Sequence, residues 1–162
     1  MRDTLFQLVG FVAALTFANG YRDVDVAQEF VNRAALVSQF EISVADLAKE
    51  RGDDRSRAFA ARIRREHQQS QRELEKIANE QKLDLPQKLD ARHTAALALL
   101  GNLKGADFDR AFARSQVDAH REAVALFETE ATDGANPSLR DFAERNLPVL
   151  RDHLTRAEAL YD

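Results

Sequence analysis

The sequence predicts an all-α protein built as a four-helix bundle with one short extra helix. The composition is rich in Ala, Leu, Arg, Glu and Gln, with only 3 Pro and 6 Gly among 162 residues, which favours helices. Four long stretches place apolar residues at spacings of three and four, as in helices with one buried face. A chain of this length forms one domain and can bury a substantial core.

Three of the four long stretches carry a histidine inside the apolar stripe. Val117, His120 and Val124 are spaced by three and four residues, so their side chains lie on one face of a helix. His67 and His153 have the same relation to their neighbours. Their stripes are Ala60, Ile63, His67, Ser70, Leu74 and Ile77, and Leu139, Phe142, Asn146, Leu150, His153 and Ala157.

An apolar segment, Leu5 to Ala18, opens the chain after Arg2. Its length of about 14 residues is short for a ~30 Å bilayer core but is typical of a signal peptide. Ala18-Asn19-Gly20 offers small residues at a cleavage site. We therefore expect residues 1–20 to be an export signal, with a retained apolar helix or membrane anchor as the alternative. Residues 21–162 are expected to form the bundle.

The first long helix is predicted to run from about Asp25 to Arg51. Asp25 and Gln28 have the spacing of a weak capping pair, and Gly52 ends the helix. Its apolar stripe is Phe30, Val37, Phe40, Val44 and Leu47.

Glu41 lies beside Phe40, at the edge of that stripe. A glutamate at such an edge is more often half-exposed than directed inward. It is nevertheless the only carboxylate near mid-helix that could reach the core. We therefore retain Glu41 as a candidate ligand.

The second helix is predicted from about Asp54 to Lys82, antiparallel to the first because the connection is very short. Pro86 then interrupts the helical pattern. A short helix from about Asp90 to Leu103 is expected to cross an end or side of the bundle, with His93 exposed in its first turn. Its apolar residues are Leu97, Leu99, Leu100 and Leu103.

The last two long helices are predicted from about Asp107 to Thr132 and from Pro137 to about Leu160. Asn136 precedes Pro137 as a cap before a proline at the first helical position. Pro148 removes one backbone hydrogen bond and predicts a kink before His153.

The charge pattern excludes some classes of function. The net charge is −4, and 23 basic residues are interspersed with 27 acidic ones, so the continuous positive surface of a nucleic-acid binder is missing. The chain has no cysteine, which excludes disulfides and thiolate chemistry. No nucleophile triad, phosphate-binding loop or HExxH motif is visible, and enzymatic activity is not favoured.

The position of each candidate along its helix indicates whether the candidates meet. At ~1.5 Å per residue, Glu41 and His67 differ by ~5 Å in height, and His120 and His153 by ~6 Å. Three imidazoles and one carboxylate at one level would suit a single Zn or Cu ion. The alternative is that all three histidines are hydrogen-bonded core residues.

Each of these histidines has an acidic residue nearby in the chain, namely Glu66, Asp118 or Asp152. They are weak candidates for supporting the ligands, because residues one or two apart on a helix point in different directions.

A di-iron site is not expected. Such bundles use Glu-x-x-His on two helices, whereas Arg64, Val117 and Leu150 precede the three histidines here by three residues.

Six segments between about Ala27 and Leu160 together form a fairly specific pattern. They are Phe30 to Leu47, Ala58 to His67, Leu85-Pro86 with Leu89-Asp90, Phe108 to Phe112, Val117 to Phe127, and Leu147-Pro148-x-Leu150-x-x-His153. This pattern resembles the secreted bacterial family called domain of unknown function 4142, often labelled predicted outer membrane protein.

The resemblance implies a ferritin-like four-helix bundle, an export signal and a periplasmic or outer-membrane-associated location. It implies no established activity. Family members carry counterparts of Glu41, His67, His120 and His153, which makes a metal site a natural hypothesis. Many members have Asp where this chain has Glu66.

Two functions of different classes follow from the sequence. The first is an exported bundle that binds one Zn or Cu ion through its mid-helix histidines. The second is a non-enzymatic envelope or stress-related interaction protein, associated with an envelope protein or membrane, whose histidines are core residues. The sequence does not determine the oligomeric state.

Overall fold

The computed structural model describes the backbone of residues 7–161 and the side chains of residues 24–160. Five helices occupy this part of the chain. They are α1 (Gln7–Arg51), α2 (Asp54–Gln81), α3 (Ala91–Gly101), α4 (Gly105–Asp133) and α5 (Pro137–Tyr161).

The four long helices form two hairpins that pack into a bundle. Helix α1 packs along α2, and α4 along α5, while α1–α4 and α2–α5 contacts join the two hairpins. The short α3 lies against α1 and α4. The predicted all-α fold is confirmed. No helix in the described part of the chain is both long and apolar enough to span a membrane.

The turn between α1 and α2 is tightly packed and well capped. A Cβ atom on Gly52 would lie 2.7 Å from the Ala48 carbonyl oxygen, so this turn requires glycine. The Asp53 carboxylate accepts a hydrogen bond of 2.7 Å from the Ser56 backbone N–H, which caps α2. Asp109 of α4 accepts a 2.9 Å hydrogen bond from the Asp53 N–H. These contacts join the turn to the start of α4.

The predicted start of α1 at Asp25 is wrong, because the helix begins at Gln7 and runs through the proposed cap. Gln28 instead binds the segment after α2. Its side chain donates to the Asp84 carbonyl at 2.7 Å and accepts from the Asp84 N–H at 2.9 Å. Gln39 donates to the Pro86 carbonyl at 2.6 Å. The α2–α3 connection is thus held against α1.

Helix α3 is only partly buried. Leu100 is 7% exposed, whereas Leu99 is 70% exposed. His93 was expected to be exposed, but its ring packs on Phe40 with centroids 5.1 Å apart and contacts Asp90 through Nδ1 at 2.7 Å. The last helix, α5, continues through Pro148 to Tyr161.

The buried apolar residues form two separate clusters. The first core cluster is Ala27, Phe30, Val31, Ala34, Ala35, Leu74, Ile77, Ala78, Ala123, Phe127, Leu139, Phe142, Ala143, Leu147 and Leu150. The second core cluster is Phe40, Val44, Ala45, Ala48, Phe59, Ala60, Ile63, Leu100, Phe108, Phe112, Val117 and Ala157. The second cluster lies toward the α1–α2 turn, and the first lies toward the α4–α5 turn.

Candidate metal centre

A layer of buried polar residues lies where the two core clusters meet. On every long helix, apolar residues of one cluster precede this layer and those of the other cluster follow it. The antiparallel hairpins therefore bring these polar side chains to one level of the bundle. The members of this polar layer are Ser38 and Glu41 on α1, His67 on α2, Gln116 and His120 on α4, and His153 on α5.

The three histidines of the polar layer converge. Their ring centroids are 5.7 Å apart for His67 and His120, 5.6 Å for His67 and His153, and 5.1 Å for His120 and His153. One ring nitrogen from each lies within 4.8 Å of the other two. Atoms this close lie within roughly 3 Å of a common point, while zinc binds imidazole nitrogen at ~2.0–2.1 Å. The three histidines are therefore close enough to hold one metal ion.

Hydrogen bonds orient two of the three rings. His120 Nδ1 lies 2.9 Å from the Gln116 carbonyl oxygen, which can only accept, so Nδ1 carries the proton and Nε2 keeps a free lone pair. His153 Nε2 lies 2.6 Å from a carboxylate oxygen of Glu66, so Nδ1 of His153 keeps its lone pair. These are the tautomers that metal binding requires at those two nitrogens.

One nitrogen on each ring has no hydrogen-bond partner among the described residues. These atoms are His67 Nε2, His120 Nε2 and His153 Nδ1, and all three are fully shielded from solvent. Buried polar groups in folded proteins are normally paired, and an unpaired one costs about 1–3 kcal/mol. Three buried histidines that lie close together, each with an unpartnered ring nitrogen, are compatible with a ligand that accepts lone pairs.

Burial keeps the three histidines neutral. It lowers the pKa of His67 well below its usual value, and positive charge on His120 or His153 would lower it further. Burial, together with the neighbouring His153, lowers the pKa of His120 to about 3. Burial also lowers the pKa of His153, although the hydrogen bond to Glu66 partly opposes this. Protons therefore compete little for these nitrogens near neutral pH.

Glu41 is fully buried, so the expectation that it is half-exposed is wrong. Its side chain is 1% exposed, and neither carboxylate oxygen has a hydrogen-bond partner within the described residues. Burial raises the pKa of Glu41 from 4.5 to about 8, although the Gln116 amide partly lowers it. Gln116 is therefore a close neighbour of Glu41, without a hydrogen bond of normal geometry. Near neutral pH the Glu41 side chain is mainly a neutral acid.

The group of atoms within 4.8 Å of one another comprises the three histidines and does not include Glu41. Glu41 shares the polar layer with them and lies near the Gln116 amide.

The three nearby acids differ in their contacts. Glu66 supports a ligand candidate on another helix: it directly precedes His67 in the sequence, yet its carboxylate binds His153. Burial alone would raise the pKa of Glu66, but the His153 hydrogen bond and the charges of Arg62 and Arg65 lower it overall. Glu66 therefore remains a carboxylate that accepts the His153 proton.

Asp118 and Asp152 pair with arginines instead of hydrogen-bonding to a histidine ring. Asp118 is exposed and pairs with Arg114 at 4.0 Å, so its predicted role beside His120 is wrong, since residues two apart on a helix diverge. Asp152 pairs with Arg156 at 2.8 Å and with Arg62 at 2.9 Å. Arg62 also pairs with Glu66 at 3.2 Å, so this arginine joins Asp152 to the carboxylate that binds His153, and the charge of Asp152 also raises the pKa of His153.

A small cavity adjoins the histidines, and residues of all four long helices form its wall, most of them from α2 and α5. Its volume is ≈ 20 Å³, enough for one water molecule. His67 and His153 line it, whereas His120 and Glu41 do not. The other polar residues in the wall are Ser38, Glu66, Ser70, Gln71 and Asn146. Most of the wall surface is apolar and comes from residues such as Ala34, Leu74, Ala123, Phe127, Phe142 and Leu150.

Comparison with known proteins identifies the family. The profile of the family described as domain of unknown function (DUF4142) matches residues 13–160. The chain belongs to the DUF4142 family. A crystal structure of a DUF305 fragment from Deinococcus radiodurans is similar in fold, with a TM-score of 0.69 and 19% sequence identity. The similarity covers 86% of the DUF4142 chain and 94% of the fragment. No curated protein matches the sequence significantly.

Sequence reasoning missed two members of the polar layer in this DUF4142 protein, Ser38 and Gln116. Ser38 donates a 3.1 Å hydrogen bond to the backbone carbonyl of His67. The backbone carbonyl of Gln116 binds Nδ1 of His120 and orients that ring. Both residues were recognisable by helical spacing. Gln116 lies four residues after Phe112 and four before His120, and Ser38 lies three before Glu41.

Proposed function

We propose that this protein binds a single transition-metal ion, Zn or Cu, through His67 Nε2, His120 Nε2 and His153 Nδ1. The observation that carries the proposal is the convergence of three buried histidines, of which one ring nitrogen each lies within 4.8 Å of the other two and one buried nitrogen each has no hydrogen-bond partner in the part of the chain that the structure describes. A core histidine with a structural role would have that nitrogen hydrogen-bonded to a neighbour.

The donor set favours Zn or Cu over harder ions. Imidazole nitrogen suits both metals, whereas Mg and Ca prefer oxygen ligands. A di-iron carboxylate site needs Glu-x-x-His on two helices and a glutamate on each of the other two. The residues that meet here are three histidines, with Glu41 in the same layer. A mononuclear site therefore fits this chain better.

Glu66 and Glu41 have separate roles in the proposed site. Glu66 accepts the Nε2 proton of His153, which fixes the ring and makes its other nitrogen more basic. A divalent ion would lower the pKa of nearby Glu41 and favour the carboxylate. Glu41 would then supply negative charge beside the three histidine ligands and partly balance the ion.

The experiment is metal analysis of protein produced without a polyhistidine tag. We expect about one Zn or Cu ion per chain, with sharply lower binding in His67→Ala, His120→Ala and His153→Ala. His93→Ala is the matched control, because this fourth histidine lies on α3 and contacts Asp90 instead. Titration calorimetry of the metal-free proteins should rank the wild type and the variants in the same order of metal affinity. Substoichiometric metal that is equal in all variants would refute the site.

A non-enzymatic interaction protein is the alternative function. It would require each of the three histidines to be hydrogen-bonded as an ordinary core residue, and the unpartnered nitrogens argue against this. Equal thermal stability of the protein with and without Zn or Cu would favour this alternative.

We also propose export to the bacterial envelope, on the basis of the apolar segment Leu5–Ala18 and the small residues that follow it. The mass of the mature protein recovered from the periplasmic fraction tests this. Loss of residues 1–20 would support cleavage, and recovery of the full-length chain from the cytoplasm would contradict export.

A further inference from the structure

The cavity beside the polar layer has two of the three proposed ligands, His67 and His153, in its wall. We propose that the bound ion keeps one coordination position open toward this cavity and accepts a small monodentate anion there in exchange for water. This inference rests on the proposed function.

The lining of the cavity determines which side of the ion is accessible. His67 and His153 form part of its wall, and neither His120 nor Glu41 does. An incoming ligand would therefore approach between α2 and α5, away from Glu41. Ser70 and Asn146 are half-buried, and Val149 is 37% exposed. These residues place the mouth of the cavity at the solvent-facing seam of the two helices.

The size of the cavity limits the ligand. A volume of ≈ 20 Å³ accommodates a water molecule, which needs roughly 10–15 Å³ by this measure. A metabolite would not fit without displacing Phe127, Phe142 or Leu150. A donor of one to three atoms would fit, with its far end directed toward the mouth.

The charge of the site favours an anion. Three neutral imidazoles balance none of the charge of a divalent ion and Glu41 balances it only in part, while the adjacent cavity wall is mainly apolar. Glu66, the carboxylate in that wall, is already engaged with His153, Arg62 and Arg65. Three protein ligands with one open position are typical of metal sites that exchange a bound water, whereas closed structural sites use four protein ligands.

Azide binding to the Cu(II)-loaded protein tests the inference. Azide should produce a saturable charge-transfer absorption band with one azide per copper. Ser70→Leu should block the mouth from α2 and weaken azide binding at least tenfold, while Cu(II) affinity changes less than threefold. Asn146→Leu provides a second variant, on the opposite wall. Ser43→Leu is the matched control, because Ser43 is also half-buried on a helix but lies outside this cavity.

The outcomes separate the two proposals. Stoichiometric copper with no response to azide would overturn the open position and leave the metal site intact. Unchanged azide affinity in both Ser70→Leu and Asn146→Leu would overturn this cavity as the route. Failure of the wild-type protein to bind copper or zinc would refute the proposed function itself, and the open position with it.

Discussion

Replacing Glu41 by glutamine in the metal-free protein should remove a large pH dependence of stability. Burial raises the pKa of Glu41 from 4.5 to about 8, so the folded state binds a proton that the unfolded state has released at intermediate pH. Linkage then requires the wild-type free energy of unfolding to fall as pH rises between these two values. The stabilising contribution is fully present below pH 4.5 and is lost as the pH passes through about 8.

The magnitude follows from the difference between the two pKa values. At 1.36 kcal/mol per unit, a change from 4.5 to about 8 corresponds to roughly 5 kcal/mol as an upper limit. Entry of water beside the ionised carboxylate would reduce this free-energy difference. Glutamine has the same shape and cannot ionise, so it avoids this loss.

The assay is urea denaturation of both proteins, with metal removed, at several values between pH 4 and pH 9. Other groups also titrate, including the three buried histidines and Glu130, whose pKa burial raises to about 7. These contributions are shared and cancel in the difference between the two proteins. A difference that does not change with pH would refute the burial of an unpaired Glu41. Glu122→Gln, at an exposed position paired with Arg92, should behave as wild type.

Three further predictions concern the support of the site and of the bundle. Glu66→Ala should weaken metal affinity about 10- to 100-fold, because removing the hydrogen-bond partner that orients a metal ligand typically has an effect of this size. Competition with a chelator measures the affinity, and an unchanged value would contradict the role of Glu66. Asp53→Ala should lower the free energy of unfolding by about 1 kcal/mol through loss of the cap on Ser56, whereas a change near zero in urea denaturation would show that the cap is dispensable. Phe142→Ala should lower the free energy of unfolding by about 3–5 kcal/mol, because this ring is 1% exposed and packs edge-on against Phe30. A decrease below about 1 kcal/mol would mean that neighbouring side chains of the first core cluster repack to fill the cavity.

The pattern of the sequence predicted the helices well where it was strongest. The ends of α2 and α5 differ from the predicted ends by one residue, because Asp53, Pro137 and the apolar spacing act locally. The start of α1 was wrong because Asp25 and Gln28 imitate a cap. Gln28 is used instead for contacts with Asp84, 56 residues away, which no local signal reveals.

The first apolar stripe illustrates a second kind of limit. Sequence reasoning gave most weight to large residues such as Val37 and Leu47, which are only partly buried. The face that α1 buries includes smaller residues, Ala34, Ser38 and Ala45, together with Glu41. Small side chains allow close helix packing, and their burial depends on the partner helix. The orientation of Glu41 was therefore misjudged.

The sequence by itself determined that the chain is all-α and that three helices each direct one histidine inward, because helical periodicity relates neighbours three and four residues apart. It also identified His67, His120 and His153 as the candidates. Only the tertiary structure decided that their nitrogens meet within 4.8 Å, that Glu66 binds His153 across the bundle, and that a cavity opens beside two of them. These features depend on the axial alignment and rotation of helices joined by distant contacts, which local spacing does not encode.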